Sequence, residues 1–150
     1  KRLHPQGSCR SRQFAFDGLL RELKAPKAYL HAERYEKLYW HNFYKEMKVS
    51  KDVKIFLRNA KKLGLITCAV TDMQANFQIA KLKKMKLDAH IDYLVTSEEA
   101  GAEKPNPAIF KLALKKMSLS KKMVVMIGDS KIKDINGAES FGIKAIYFKA

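Results

Sequence analysis

Apolar residues first recur at helical spacing between Gln13 and Lys24, where Phe14, Phe16, Leu19, Leu20 and Leu23 share one face and Pro26 lies just beyond. Spacings of three and four put such positions on one side of a helix, so a helix is expected there. A second is expected over Ala32–Met47, from Tyr35, Leu38, Tyr39, Phe43 and Met47. Its aromatic stripe fits a packing face better than a cofactor box. A third covers Asp52–Leu63 and is stopped by Gly64, a residue suited to the left-handed turn that ends helices.

After Gly64 the period changes. Leu65-Ile66-Thr67-Cys68-Ala69-Val70 is a short apolar run behind a glycine and predicts a buried strand. Helix Asn76–Met85, strand Tyr93–Thr96, a loop with Gly101 and Pro105, and helix Pro107–Met117 follow. Strand Met123–Ile127, helix Lys133–Phe141 and strand Lys144–Phe148 close the pattern. Strands alternating with helices of about ten residues imply βαβ units, hence an α/β fold with a doubly wound parallel sheet covered on both faces. The helices before Asp52 break that alternation. Residues 1–50 are therefore expected to form a small N-terminal helical cap element, and residues 51–150 the α/β core. Residues 1–12 read as a polar lead-in.

Composition changes this picture little. With 150 residues the chain is the size of one domain and can bury a sizeable core. Lys and Arg number 30 against 15 acidic residues, a net charge of +15. The lysines are spread in pairs such as Lys61-Lys62, Lys83-Lys84, Lys115-Lys116 and Lys121-Lys122, which fits solvated helix faces better than specific nucleic-acid binding. The two cysteines, Cys9 and Cys68, stand far apart and in no metal-ligand spacing, with Cys68 expected in the core. No disulfide framework, signal peptide or run of about 18 apolar residues occurs, so a cytoplasmic protein with no membrane partner is expected.

In doubly wound sheets ligands bind beyond the carboxyl ends of the strands. The first predicted strand ends in Val70-Thr71-Asp72-Met73 and the third in Ile127-Gly128-Asp129-Ser130, while Lys104 lies in the loop after the second. Each has a local explanation. Thr71 and Asp72 suit a helix cap, Lys104-Pro105 a helix start, Gly128-Asp129 a turn, and Asp134 a helix N-terminus. Those explanations do not account for a hydroxyl, a cation and carboxylates arriving at strand ends in this order.

The series Ala69-Val70-Thr71-Asp72, Glu103-Lys104-Pro105-Asn106-Pro107-Ala108-Ile109-Phe110 and Met126-Ile127-Gly128-Asp129-Ser130-Lys131-Ile132-Lys133-Asp134, with Thr96-Ser97-Glu98-Glu99-Ala100-Gly101, resembles the haloacid dehalogenase superfamily from about Val49 onward. The resemblance implies a Rossmann-like core and a magnesium-dependent phosphatase acting on a small phosphorylated substrate. Thr71 would bind phosphoryl oxygens with Asp72 beside it, and Lys104 would neutralise charge on the nucleophile and the transferring group. Asp129 would bind Mg²⁺ and Asp134 would ligate or orient that metal. Gly137 and Ala138 would let their helix pack close to the sheet. The metal pair Asp129 and Asp134 favours a phosphatase over a dehalogenase, because carbon–halogen cleavage in this family needs no metal.

The family's first motif, an Asp-x-Asp whose first Asp is the nucleophile, does not precede Thr71. Two explanations stand. Phe14-Ala15-Phe16-Asp17-Gly18-Leu19-Leu20 is similar to a decayed copy, which would make the chain an inactive pseudo-enzyme serving as a binding or regulatory module. Alternatively these residues belong to a cap helix, and the motif lies in an N-terminal segment that this chain lacks. Helical spacing favours the second. The first-motif strand would stand between those ending at Thr71 and Asp129. A folded chain is therefore expected to fill that place with residues near Phe14, a separate N-terminal piece or a segment swapped within a homo-oligomer.

Overall fold

The computed structural model describes residues 11–149. Cys9 and most of the polar lead-in lie outside them. Two helices come first, α1 (Arg12–Glu22) and α2 (Ala28–Glu46), packed against each other. Ser11 caps α1 by accepting a hydrogen bond from the Phe14 amide at 3.3 Å. The Phe14–Leu20 stretch is thus helical, as its spacing predicts, and Asp17 pairs with Arg21 one turn along. Helix α2 starts earlier than expected, at Ala28, which is buried together with Ala32 and Trp40. Its aromatics pack: Phe16 meets Tyr35 and Tyr39, and Trp40 stacks on Phe77 with centroids 4.3 Å apart.

Helix α3 (Lys51–Lys62) is capped by Ser50 and ends at Gly64, whose φ of 68° is the left-handed value the glycine was expected to supply. Then come β1 (Cys68–Thr71), α4 (Ala75–Met85), β2 (Tyr93–Thr96), the short α5 (Ser97–Ala100) and α6 (Pro107–Met117). Strand β3 (Val125–Gly128), a π-helical turn over Lys131–Asn136, α7 (Gly137–Ser140) and β4 (Lys144–Tyr147) complete the core. The first strand is shorter than predicted, with Leu65 and Ile66 exposed ahead of it. The expected helix over Lys133–Phe141 is divided into a wide turn and a short α-helix.

Among the described residues all strand pairing is parallel, but it forms two sheets. Strand β1 pairs with β2, Cys68 opposite Tyr93 through Thr71 opposite Thr96. Strand β3 pairs with β4, Val125 opposite Lys144 through Gly128 opposite Tyr147. Among the described residues no ladder joins the two pairs. The expectation that residues near Phe14 would supply a connecting strand is not met, since they lie in α1.

What unites the halves is the layer beneath. Val95 of β2, Ile109, Phe110 and Ala113 of α6, Ala138 of α7 and Ile143 form one buried cluster. Cys68 and Val70 pack on it from one pair and Met126 and Ala145 from the other. Side chains alternate across a strand, so the opposite face is presented by Val125, Ile127 and Ile146, which remain 44%, 41% and 48% exposed. The expected cover on both faces is therefore present on one face of β3–β4. No helix among the described residues is long and apolar enough to cross a membrane.

Candidate active site

Every predicted site residue lies at or just beyond the carboxyl end of β1 or β3, or in the loop ahead of α6. Thr71 closes β1, and its hydroxyl donates to the Asp72 carbonyl at 3.3 Å. Asp72 is half-buried and fully engaged. One carboxylate oxygen accepts from the Lys104 amide at 2.9 Å, the other from Lys133 Nζ at 2.6 Å. Met73, next in the chain, has φ 106°, unusual for a residue with a side chain. Its amide donates at 2.8 Å to the hydroxyl of Ser97, which is fully buried. The Gln78 side chain donates to the Asp72 carbonyl at 2.8 Å, and Glu98 caps α4 through the Ala75 amide at 2.9 Å.

Lys104 links the two half-sheets. Its ammonium donates to the Val70 carbonyl on β1 at 2.9 Å and to Asp134 Oδ1, beyond β3, at 2.7 Å. Both side chains of this pair are nearly out of water, 11% and 6% exposed. Asp134 Oδ2 accepts from the Ser130 amide at 3.0 Å. The carboxylate reaches this position because residue 128 is glycine: a Cβ there would lie 2.6 Å from Asp134 Cγ. Gly137 serves a similar purpose, since a Cβ on it would come within 2.9 Å of Pro105. That contact sets Gly137 of α7 against the loop carrying Lys104 and not against the sheet as expected for it, while Ala138 is buried in the core cluster.

Asp129 is exposed, and its carboxylate has no hydrogen-bond partner among the described residues. Asp129 and Asp134 thus offer two carboxylates near the end of β3. No group of three His, Cys, Asp or Glu side chains suited to a metal occurs among the described residues. A pair of carboxylates, one unengaged, still fits Mg²⁺, which takes one or two from a protein and fills its remaining positions with water and phosphate oxygens.

The sequence reading quoted Lys133, Glu103 and Ser97 within its motif stretches without giving them a role, and it missed Gln78. Lys133 Nζ bridges Asp72 and Glu103, the latter at 3.4 Å. Among 30 basic residues nothing in its local sequence distinguishes it; only the wide turn over Lys131–Asn136 swings it toward β1. Cys68 is half-buried on the core, and desolvation pushes its thiol up to about 11.

The sequence model of the haloacid dehalogenase-like hydrolases matches residues 13–148. The chain belongs to this family. Among its relatives, the ribulose-1,5-bisphosphate 5-phosphatase of Halopiger xanaduensis is 33% identical over 110 residues, covering 73% of this chain and 46% of that protein. The glyceraldehyde 3-phosphate phosphatase of Pyrococcus furiosus is 36% identical over 93 residues, 62% of this chain and 39% of that one. The chain thus spans less than half the length of these curated relatives. The 2-haloacid dehalogenase of Pseudomonas syringae superposes with a TM-score of 0.76 at 22% identity, over 91% of this chain and 57% of the other. A haloacid dehalogenase-type phosphatase of Thermococcus onnurineus gives 0.66 at 24% identity, over 91% and 76%. As a haloacid dehalogenase-like hydrolase with phosphatase-named relatives, the chain has the fold its motifs imply.

Proposed function

We propose that this haloacid dehalogenase-like hydrolase is the core of a magnesium-dependent phosphomonoester phosphatase whose nucleophilic Asp is carried on a segment outside this chain. The observation that carries the reading is Lys104, whose buried ammonium spans from the end of β1 to Asp134 beside the end of β3. A strand seated there would deliver its carboxylate next to that cation. The nucleophile's oxygen attacks phosphorus, the P–O bond to the alcohol breaks and the alcohol leaves with a proton. Water then cleaves the aspartyl-phosphate and releases phosphate. Thr71 holds phosphoryl oxygens, and Asp72 fixes the Lys104 loop by accepting from the Lys104 amide. Asp129 would hold Mg²⁺ directly and Asp134 would orient the site. The metal supplies charge neutralisation on the phosphoryl oxygens when bound.

The activities for which the relatives are named point to a small phosphorylated substrate, and the absence of a disulfide framework supports a cytoplasmic setting. The decisive test uses the protein as its source cell makes it. Hydrolysis of small phosphate esters should require Mg²⁺ and disappear in Asp129→Asn. Full turnover in excess chelator overturns the reading. Saturable phosphate binding without any turnover would instead favour the non-catalytic alternative.

A further inference from the structure

At the seam between the helical hairpin and α4 lies a cationic position that the catalytic reading does not use. Lys81 Nζ sits 5.5 Å from the ring centroid of Trp40 and 5.3 Å from that of Phe43. It is also 4.0 Å from the sulfur of Met73, the residue directly after Asp72. The charge acting on it is a second cation, Arg12, whose guanidinium lies 4.9 Å over the Tyr39 ring. Neither side chain forms an ion pair among the described residues, although acidic partners hold Lys104, Lys116 and Lys133.

Lys81 also differs from the solvated lysines. Lys83, Lys84 and Lys86 on the same helix end are exposed, whereas Lys81 is half-buried under aromatic rings. Desolvation and the like charge of Arg12 both push its ammonium below the ordinary lysine value. Beside it, the indole N–H of the buried Trp40 donates to no acceptor among the described residues. Ring faces attract a cation but do not neutralise it. Lys81 is half-buried and Arg12 exposed at its edge, and an anion that enters between the two like charges stabilises both.

We infer that Lys81 and Arg12 receive a second anionic group of the substrate, so that the favoured phosphate esters carry a carboxylate or a second phosphate remote from the transferred phosphoryl group. The inference rests on the catalytic reading for the placement of that phosphoryl group, with Met73 standing between the two positions. It does not rest on turnover, because the seam binds an anion whether or not chemistry follows.

Trp40 is the single tryptophan of the chain, so its fluorescence reports this seam directly. The full chain is titrated with phosphoglycolate, with propanediol bisphosphate and with hydroxyethyl phosphate, which keeps the ester but lacks a second anion. Emission should change saturably with either of the first two at concentrations where hydroxyethyl phosphate has little effect. Tighter binding of one of them identifies carboxylate or phosphate as the group recognised. Lys81→Met should weaken that binding about tenfold, the loss of one charge-assisted contact, and Lys81→Arg should restore most of it. Equal midpoints for all three compounds, no saturable change, or a Lys81→Met protein that titrates like the parent overturns the inference.

Turnover measured in parallel separates this inference from the catalytic one. A fluorescence response that depends on Lys81, without hydrolysis of any ester, strikes the phosphatase reading and leaves the anion seat standing. Hydrolysis whose kcat/KM ratio between phosphoglycolate and hydroxyethyl phosphate is unmoved by Lys81→Met does the reverse.

Discussion

At Gly128 an added methyl group would come within 2.6 Å of Asp134 Cγ, so Gly128→Ala has to displace the carboxylate that holds Lys104. Overpacking of this kind costs about 1–3 kcal/mol, and urea unfolding should show a loss of that order. An unchanged midpoint would mean that Asp134 moves aside freely. The Lys104–Asp134 pair makes a sharper test, because both side chains are almost fully buried. Asp134→Ala leaves an unpaired ammonium and should destabilise by about 3–5 kcal/mol. The double variant Lys104→Met, Asp134→Leu should be more stable than either single charge removal. Simple additivity of the two losses would refute that coupling. Cys68 provides a pH dependence. Its folded-state thiol is held up at about 11, above the ordinary value, so the folded state favours the neutral form. The stabilisation is full below the ordinary thiol value and is lost as pH rises through about 11. A Cys68→Ala chain should accordingly show a flatter fall in stability over that alkaline range, and a parallel fall would dismiss the thiol as its cause.

Periodicity located the elements well where one face is buried and poorly where a terminus is set by tertiary contacts. Strand Tyr93–Thr96 and helix Pro107–Met117 were readable to the residue, since turn chemistry and Pro107 fix their limits. Leu65 and Ile66 look like strand residues, yet they precede β1 and remain exposed, because parallel pairing with β2 starts opposite Tyr93. The hydrogen bonds there explain the starting point: Asp92 accepts from the Thr67 amide at 2.8 Å and from its hydroxyl at 2.9 Å. Those bonds lower the Asp92 pKa, so this tie is present at neutral pH and weakens as pH falls through the lowered value. The wide turn at Lys131–Asn136 was not readable, because it follows from the close approach of Gly137 to Pro105 across the fold. Nor could period show that the strands form two pairs, since pairing depends on which neighbours are present. Strand β3 therefore offers Val125 and Ile127 on an uncovered face beside Ile146. Such a face, with an unpaired strand edge, promotes association. Sedimentation equilibrium of the chain should show concentration-dependent self-association that Ile127→Lys reduces. A monomer at all concentrations would indicate that the face is adequately protected.

For the molecule as a whole, the placement of the candidate site residues was legible in outline because they sit at strand ends and strand order follows the chain. Thr71, Asp72, Lys104 and Asp134 come together as that order requires, with Asp129 left unengaged beside them. Lys133 and Lys81 were not legible, because their roles depend on which of many cations lie in the seam between elements. The same abundance of cations governs the molecule's behaviour towards polyanions. A net charge of +15, spread as lysine pairs along the chain, produces an attractive field for polyanions. Binding of this type comes from counterion release, and its strength falls steeply with salt while carrying no base information. The chain should therefore be retained on heparin at low ionic strength and elute at moderate salt. Its affinity for duplexes of different sequence should be equal within experimental error at each salt concentration. Salt-resistant retention, or a preference among duplexes, would require an organised nucleic-acid surface and would contradict the reading of these lysines as solvated faces. If instead retention collapses uniformly, the half-buried Lys81 is separable from the rest: its anion should remain bound at salt concentrations that strip the polyanion, because a desolvated contact is screened far less than an exposed one.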